Sequence, residues 1–178
     1  PLLVIVHGGP QGMMGDDWHW RWNYQMFAAK GYVVAAPNFH GSTGYGSAFQ
    51  DAIRGDWGGA PYEDVMKAVD HLVTLPFVDP RRVCAAGASY GGYLINWIAG
   101  HTDRFRCLIS HDGPFNLLSK NAATDELWFP EWEFRGTPHG NRELHERLSP
   151  HRHADKIKTP MLVIHGEQDM RVPVEEAL

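Results

Sequence analysis

Three features are scarce or absent in this sequence, and each scarcity argues against a class of function. The only cysteines among 178 residues, Cys84 and Cys107, lie in apolar runs. We therefore expect buried thiols and not a disulfide or a metal site. Lys and Arg number 16 against 21 Asp and Glu, so no basic surface indicates nucleic-acid binding. No apolar run approaches the roughly 18 residues of a membrane-spanning helix.

The ends of the sequence indicate a piece of a longer protein. Pro1 is not an initiator residue, and Leu178 falls within a segment that resembles the start of a helix. No signal peptide is visible, because the first apolar run lacks a preceding basic region. The sequence is therefore compatible with a cytoplasmic, periplasmic or secreted protein.

Short apolar runs alternate with segments of helical periodicity, which is typical of a sheet covered by helices on both faces. Helices are predicted at 22–30, 61–75 and 91–100, the second with a proline in its first turn. Strands are predicted at 2–6, 32–36, 83–86, 107–110 and 161–164. This pattern predicts one doubly wound, mostly parallel α/β sheet, so that residues 1–178 form a single partial domain.

The segment 116–148 interrupts the alternation, because it contains no strand pattern. It is rich in aromatic residues, with Trp128, Phe129, Trp132 and Phe134 within seven positions. We predict a helical excursion on the carboxyl side of the sheet, which is the side where open α/β sheets bind ligands.

The sequence around Ser89 carries the strongest chemical signal. Gly87-Ala88-Ser89-Tyr90-Gly91 follows a predicted strand directly and precedes a predicted helix. This context is that of a nucleophile elbow, which presents a serine hydroxyl at the top of an α/β-hydrolase sheet. We therefore predict the α/β-hydrolase fold, with Ser89 as the nucleophile. The N–H of Tyr90 is the first predicted oxyanion donor. The alternative is a glycine-rich structural turn.

A second motif, His7-Gly8-Gly9-Pro10, follows the first predicted strand. Hydrolases of this fold place a backbone N–H from such a loop opposite the nucleophile, and glycines allow close approach to the reacting oxygen. We therefore assign His7, Gly8 and Gly9 to the second side of the oxyanion hole. The loop lacks the lysine and the spacing of a phosphate-binding loop.

The triad acid is expected on a loop after a late strand, because α/β-hydrolases carry serine, acid and histidine in that chain order. Asp169 lies on such a loop and is the predicted acid, with Glu167 as the alternative. No histidine follows Asp169, although a serine needs a base to accept its proton. We expect that base beyond Leu178.

The histidines inside the chain are not expected to replace the missing base. His165 lies too close to its strand end, and we expect solvated side chains at the histidines in and just after the excursion, which are His139, His145, His151 and His153. The last two are poorly spaced for joint metal binding, and no metal site is predicted.

Four motifs together resemble one family, the prolyl oligopeptidase-family serine peptidases. The segment 38–46, NFHGSTGYG, is similar to the family's N-x-R-G-S-T-G-Y-G stretch, with His40 in place of the usual arginine. The 7–10, 87–92 and 165–173 motifs follow in family order. Within the family, the sequence looks most like the acylaminoacyl-peptidase and dipeptidyl-peptidase 5 branch.

The resemblance implies a serine peptidase that releases dipeptides or short N-terminal units from oligopeptides through an acyl-enzyme at Ser89. It implies no metal or organic cofactor, short peptides as substrates, and an N-terminal β-propeller that these residues do not include. It is also compatible with a homo-oligomer. Phe115, Trp128, Trp132 and Val172 would line the side-chain pocket, and ordinary core packing is the alternative for the aromatic members.

Two other functions remain open at this point. A carboxylesterase or other acyl hydrolase could use the same triad, because the fold alone does not choose an amide over an ester. An inactive hydrolase fragment without its catalytic histidine is the third hypothesis, and its uncovered sheet edge would need a partner.

Overall fold

The computed structural model describes residues 1–178 and contains a five-stranded parallel sheet in the order β2-β1-β3-β4-β5. All five predicted strands are present, and β3 and β4 run further than predicted, to Ala88 and His111. The strands are β1 (Leu2–Val6), β2 (Val33–Ala35), β3 (Val83–Ala88), β4 (Cys107–His111) and β5 (Met161–Ile164). The predicted α/β-hydrolase fold is confirmed.

Seven α-helices connect and cover the strands. No helix has the length and apolar character required to cross a membrane. The helices are α1 (Tyr24–Ala28), α2 (Ser47–Asp51), α3 (Ala60–Leu72), α4 (Tyr90–His101), α5 (Leu117–Ala123), α6 (Trp128–Glu133) and α7 (Arg142–Arg147). Two 3-10 helices follow, at Pro150–Lys156 and Val174–Ala177. Three of the α-helices lie within 116–148, and this segment contains no strand.

Helix α4 is the centre of the core. Every residue of this helix from Tyr90 to Gly100 is buried, which fits its high apolar content around the whole circumference. It packs against β1, β3 and β4. The rings of its Tyr90 and Tyr93 contact the ring of Trp57, which also contacts Phe134. The position of α4 therefore sets the position of the residue that precedes it, Ser89.

The two cysteines lie side by side on adjacent strands, because Cys84 of β3 pairs in register with Cys107 of β4. Both thiols are free, as expected, but they are half-buried and not buried as predicted. Burial, followed by the neighbouring Cys84 thiol, raises the pKa of Cys107 to about 11. A thiol with this pKa is inert at neutral pH, which fits a packing role.

Candidate active site

Ser89 occupies the sharp turn between β3 and α4. Its backbone has φ 57° and ψ −122°, a conformation that costs a non-glycine residue about 1–3 kcal/mol. Two backbone hydrogen bonds hold it there. The N–H of Ser89 donates to the carbonyl of His111 at 2.9 Å, and the N–H of Tyr93 donates to the carbonyl of Ser89 at 2.9 Å. The strain is thus maintained by β4 on one side and by α4 on the other.

The glycines that flank Ser89 are required by close backbone packing. A Cβ at Gly87 would lie 2.5 Å from the backbone of Gly91, and a Cβ at Gly91 would lie 2.2 Å from the carbonyl oxygen of Val6. Strand β3 and helix α4 can therefore cross only where both residues lack a side chain. The elbow predicted from the sequence is present as a strand, a strained serine and a helix.

The Gly8 loop lies directly beside Ser89. A Cβ at Gly8 would be 3.0 Å from the carbonyl oxygen of Ala88 and 3.4 Å from the Cβ of Ser89. The N–H of Tyr90 opens α4, where the first helical N–H groups have no acceptor within the helix. Tyr90 and the Gly8 loop thus adjoin the serine, and the role of their N–H groups as an oxyanion hole stays a prediction.

The side chains of His7 and Tyr90 serve the structure and point into the protein. His7 Nε2 hydrogen-bonds with Ser42 Oγ at 2.8 Å, and its ring stacks on Phe39 at 4.1 Å. Burial lowers the pKa of His7, opposed by its hydrogen bond with the Gly8 carbonyl. The hydroxyl of Tyr90 donates to the carbonyl of Trp57 at 2.7 Å. Any contribution of His7 or Tyr90 to the oxyanion hole must therefore come from the backbone.

Asp169 lies on the loop after β5, and this loop orients its carboxylate. Oδ1 accepts the N–H groups of Arg171 at 2.8 Å and Val172 at 2.9 Å. A cavity of about 450 Å³ is lined by Ser89 and Asp169 together, with His111, Asp112 and Val172. The alternative acid, Glu167, is exposed and lines neither of the two cavities that reach Ser89. The structure thus brings Ser89 and Asp169 to one cleft.

No histidine side chain among the 178 residues hydrogen-bonds to Ser89 or Asp169. His165 Nε2 is bound to the carbonyl of Val172 at 2.7 Å. A ring nitrogen of His165 lies within 4.8 Å of carboxylate oxygens of Asp112 and Asp169, an arrangement that could hold a metal ion. However, the nitrogen that lies 4.0 Å from Asp112 is Nε2, which already hydrogen-bonds with the Val172 carbonyl. His165 therefore stabilises the loop that carries Asp169.

One expectation about histidines was wrong. His145 is fully buried and not solvated, because α7 packs it against Phe134, with ring centroids 4.8 Å apart. Its Nδ1 hydrogen-bonds with the carbonyl of Asn141 at 2.9 Å, and burial lowers its pKa. His145 thus belongs to the core of the helical excursion.

The four residues assigned to the side-chain pocket lie in different places. Val172 is buried and lines the cavity that contains Ser89 and Asp169. Phe115 lines a separate cavity of about 210 Å³. Trp128 and Trp132 are 69% and 56% exposed and line neither cavity that reaches Ser89. The ring of Trp132 instead carries the guanidinium of Arg54, 3.9 Å from its centroid.

A second cavity beside Ser89, of about 310 Å³, was not predicted. Its walls come largely from the loop between β1 and α1, and they include Met13, Met14, Trp22 and Tyr24. Arg21 lines both this cavity and the one that contains Asp169. The dense aromatic and basic residues at 18–24 were the only sequence signal for this wall, and the helix predicted at 22–30 did not indicate that they face Ser89.

The 38–46 motif supports this cavity wall. Asn38 accepts the N–H of Met14 at 2.8 Å through Oδ1 and donates to the carbonyl of Met14 at 2.9 Å through Nδ2. The N–H of Thr43 donates to the carbonyl of Gly12 at 2.8 Å. The motif thus fixes the loop that closes one side of the cleft.

The curated proteins most similar in sequence that were compared with this chain share one name, dipeptidyl-peptidase 5. The chain is 48% identical to dipeptidyl-peptidase 5 of Aspergillus oryzae, over 100% of this chain and 25% of the relative. It is 45% identical to dipeptidyl-peptidase 5 of Schizosaccharomyces pombe, over 100% of this chain and 26% of the relative. The chain thus spans about a quarter of the length of these curated relatives.

Solved structures agree with these relatives. Acylaminoacyl peptidase of Pyrococcus horikoshii matches with a TM-score of 0.93 and 34% identity, covering 100% of this chain and 29% of that one. A puromycin-hydrolyzing peptidase of Mycobacterium tuberculosis matches with a TM-score of 0.89 and 32% identity, covering 99% of this chain and 27% of that one.

The family assignment rests on most of the chain. The model of the prolyl oligopeptidase family matches residues 18–178, a range that includes the elbow at Ser89, the 38–46 motif and the Asp169 loop. The resemblance inferred from the four sequence motifs is therefore confirmed, and the chain belongs to the prolyl oligopeptidase family.

Proposed function

We propose that this chain supplies the nucleophile, the oxyanion hole and the triad acid of a serine peptidase. In this proposal, the full-length protein releases dipeptides or short N-terminal units from oligopeptides through an acyl-enzyme at Ser89. The observation that carries the proposal is the strained serine, with the Gly8 loop on one side and a cleft shared with Asp169 on the other. The names of the relatives, which include dipeptidyl-peptidase 5, support peptide substrates.

The chemistry follows from this arrangement. Ser89 Oγ attacks the scissile carbonyl carbon, and its proton passes to a histidine base that the full-length protein would supply from outside these residues. The carbonyl oxygen becomes an oxyanion, which the N–H of Tyr90 and an N–H of the Gly8–Gly9 turn stabilise by about 3–4 kcal/mol per donor. The base then protonates the leaving amine, and water hydrolyses the acyl-enzyme. Asp169 orients the base and stabilises its charged form.

Substrate side chains would lie in the two cavities beside Ser89. Of the four residues predicted to line the side-chain pocket, Val172 lines one of these cavities, whereas Phe115, Trp128 and Trp132 line neither. The cavity with Met13, Met14, Trp22 and Tyr24 offers an apolar wall for one side chain of the peptide. Arg21, at the boundary of the two cavities, can donate to a carbonyl oxygen of the bound peptide.

The test is the Ser89→Ala variant of the full-length protein, assayed with a dipeptidyl anilide. We expect the turnover number to fall at least about 10³-fold, because the nucleophile of a triad is indispensable to acyl transfer. The matched control is Ser47→Ala, because Ser47 is exposed at the start of α2 and should leave turnover unchanged. Retained turnover in Ser89→Ala would contradict the proposal.

The same variants decide between a peptidase and an esterase. The elbow and the oxyanion donors can act on either carbonyl, because both reactions pass through a tetrahedral intermediate. The full-length protein should cleave the dipeptidyl anilide in a Ser89-dependent manner. Ser89-dependent cleavage of a simple aryl ester, with no cleavage of the anilide, would replace the peptidase proposal with the acyl hydrolase alternative.

A further inference from the structure

A buried carboxylate lies behind the oxyanion hole. Glu133, at the end of α6, is 0% exposed. Its two oxygens bind different parts of the chain. Oε1 accepts the side-chain N–H of Gln11 at 2.7 Å, and Oε2 accepts the indole N–H of Trp57 at 2.8 Å. One side chain thus connects two segments that are distant in the sequence.

Each of these connections leads to one side of the oxyanion hole. Gln11 follows the turn His7-Gly8-Gly9-Pro10, so its bond to Glu133 anchors the end of the loop that lies against Ser89. Trp57 accepts the hydroxyl of Tyr90 through its carbonyl at 2.7 Å, and its ring meets the Tyr90 ring edge-on at 5.0 Å. Glu133 therefore anchors the Gly8–Gly9 turn through Gln11 and Tyr90 through Trp57.

Stability alone gives no reason for a carboxylate at this position. Burial of a charged group is costly, and a buried ion is often replaced by apolar residues without loss of stability. Burial raises the pKa of Glu133, against the opposing effect of the hydrogen bonds from Trp57 and Gln11. What the carboxylate offers, and an apolar residue does not, is two directed acceptors that fix two donors relative to each other.

We propose that Glu133 is a positioning residue that sets the distance between the two backbone donors of the oxyanion hole, an inference that rests on the proposed function. It touches neither substrate nor Ser89 and acts through Gln11 and Trp57. Its effect should therefore appear in the stabilisation of the transition state more than in substrate binding, since the donors act where charge develops.

The decisive measurement compares Glu133→Leu with Glu133→Gln in the full-length protein. A leucine removes both acceptors. A glutamine keeps an oxygen for Trp57, and its amide N–H can donate to the Gln11 carbonyl if the Gln11 amide turns over. We expect the turnover number of Glu133→Leu to fall about 10- to 100-fold, with KM changed less than about 3-fold, because misplaced donors lose part of their contribution. Glu133→Gln should stay within about 3-fold of wild type.

A transition-state analogue gives a second readout that a purely structural role would not change. A dipeptide boronic acid forms a tetrahedral adduct with the nucleophilic serine, and its inhibition constant should weaken in Glu133→Leu by the same factor as kcat/KM. The matched control is Glu131→Leu, since Glu131 is exposed on the same helix and forms no side-chain hydrogen bond. This control should leave both constants unchanged.

The double variant Gln11→Leu/Glu133→Leu separates positioning from folding. It removes the carboxylate oxygen that Gln11→Leu leaves unpaired, so part of the thermal stability lost in Gln11→Leu should be recovered, while the Trp57 indole N–H stays without its acceptor. The positioning role predicts that turnover and boronic-acid affinity stay reduced, and their full recovery would overturn it. If Glu133→Leu does not fold, Gln11→Leu decides, because it breaks the connection to the Gly8–Gly9 turn alone.

The failure of this proposal differs from the failure of the proposed function. Unchanged turnover and unchanged boronic-acid affinity in folded Glu133→Leu, beside Ser89-dependent turnover of the wild type, would overturn only the role of Glu133. Turnover that persists in Ser89→Ala would overturn the serine peptidase itself, and the role of Glu133 with it.

Discussion

The substitution Gly91→Ala tests the tightest contact of the site. A Cβ at this position would lie 2.2 Å from the carbonyl oxygen of Val6, 3.0 Å from the Val6 carbonyl carbon and 3.1 Å from the carbonyl oxygen of His7. Non-bonded carbon and oxygen atoms rest more than about 3 Å apart. Helix α4 and strand β1 would therefore have to separate by about 1 Å.

This separation carries a cost in stability, because both obstructing groups are backbone atoms of regular structure. Overpacking of a well-filled core costs about 1–3 kcal/mol and occasionally more. For a domain of this size, that corresponds to a decrease of roughly 2 to 12 °C in the thermal midpoint. The core around α4 offers no exposed side to which the helix could move, since all residues from Tyr90 to Gly100 are buried.

The same separation should reduce catalysis. Ser89 precedes α4 directly and the Gly8 loop follows β1, so the nucleophile and one oxyanion donor would move apart with these elements. A misplacement of about 1 Å can cost about 10²-fold in rate. We therefore expect Gly91→Ala in the full-length protein to lose about that factor in turnover of a dipeptidyl anilide, at temperatures where it remains folded.

Two further variants make the reasoning refutable. Gly140→Ala is the matched control, because the residue is exposed and the nearest atom to its Cβ would be the Thr137 hydroxyl at 3.2 Å, with backbone atoms no closer than 3.9 Å. Val6→Ala should not rescue Gly91→Ala, because the obstruction is the backbone carbonyl of Val6 and not its side chain. Wild-type stability and turnover in Gly91→Ala, or rescue by Val6→Ala, would refute the argument.

Two more predictions concern Asp169 and Lys120. Asp169→Asn should keep the loop intact, because its Oδ1 can still accept the two N–H groups, but should lower the turnover number up to about 10⁴-fold by favouring the wrong tautomer of the base. Burial lowers the pKa of Lys120 to about 8, against the opposing charges of Glu126 and Glu176. The unfolded lysine binds its proton up to pH of about 10.4, so wild-type stability should rise by about 3 kcal/mol between pH 8 and that value. Lys120→Met should raise the thermal midpoint at pH 7 and flatten this rise.

Each of these predictions has an outcome that contradicts it. Undiminished turnover in Asp169→Asn would remove Asp169 from the triad. A thermal midpoint that falls at pH 7 in Lys120→Met would show that the ammonium contributes favourable interactions larger than its desolvation cost. Lys158→Met is a suitable control, because Lys158 is exposed and its side chain forms no hydrogen bond or ion pair, so it should change neither the midpoint nor its dependence on pH.

The elbow could be predicted from the sequence because its determinants are local. Gly87, Ser89 and Gly91 lie within five residues, and the strand and the helix that they join directly adjoin them. The turn geometry, the glycine contacts and the buried helix follow from that segment and from Val6. For the same reason, all five strands were found, and only their ends differed.

The cavity walls and the burial of His145 could not be predicted in this way, because tertiary packing decides them. The spacing of Trp128 and Trp132, four residues apart, places both on one helix face but does not show whether that face meets the cleft or the solvent. In the structure both rings are exposed. The network of Gln11, Trp57 and Glu133 joins residues separated by 76 and 122 positions. No local pattern indicates such a contact.

The strand order itself determines where a catalytic base can enter. The Gly8 loop follows β1, Ser89 follows β3 and Asp169 follows β5, while β4 lies between the last two strands. Neighbouring strands lie about 4.8 Å apart, so the ends of β3 and β5 are separated by roughly 10 Å. An imidazole with a hydrogen bond of about 2.8 Å on each side spans about 8 Å. Under the proposed mechanism, the base must therefore lie above the end of β4, where the cavity is lined by His111 and Asp112.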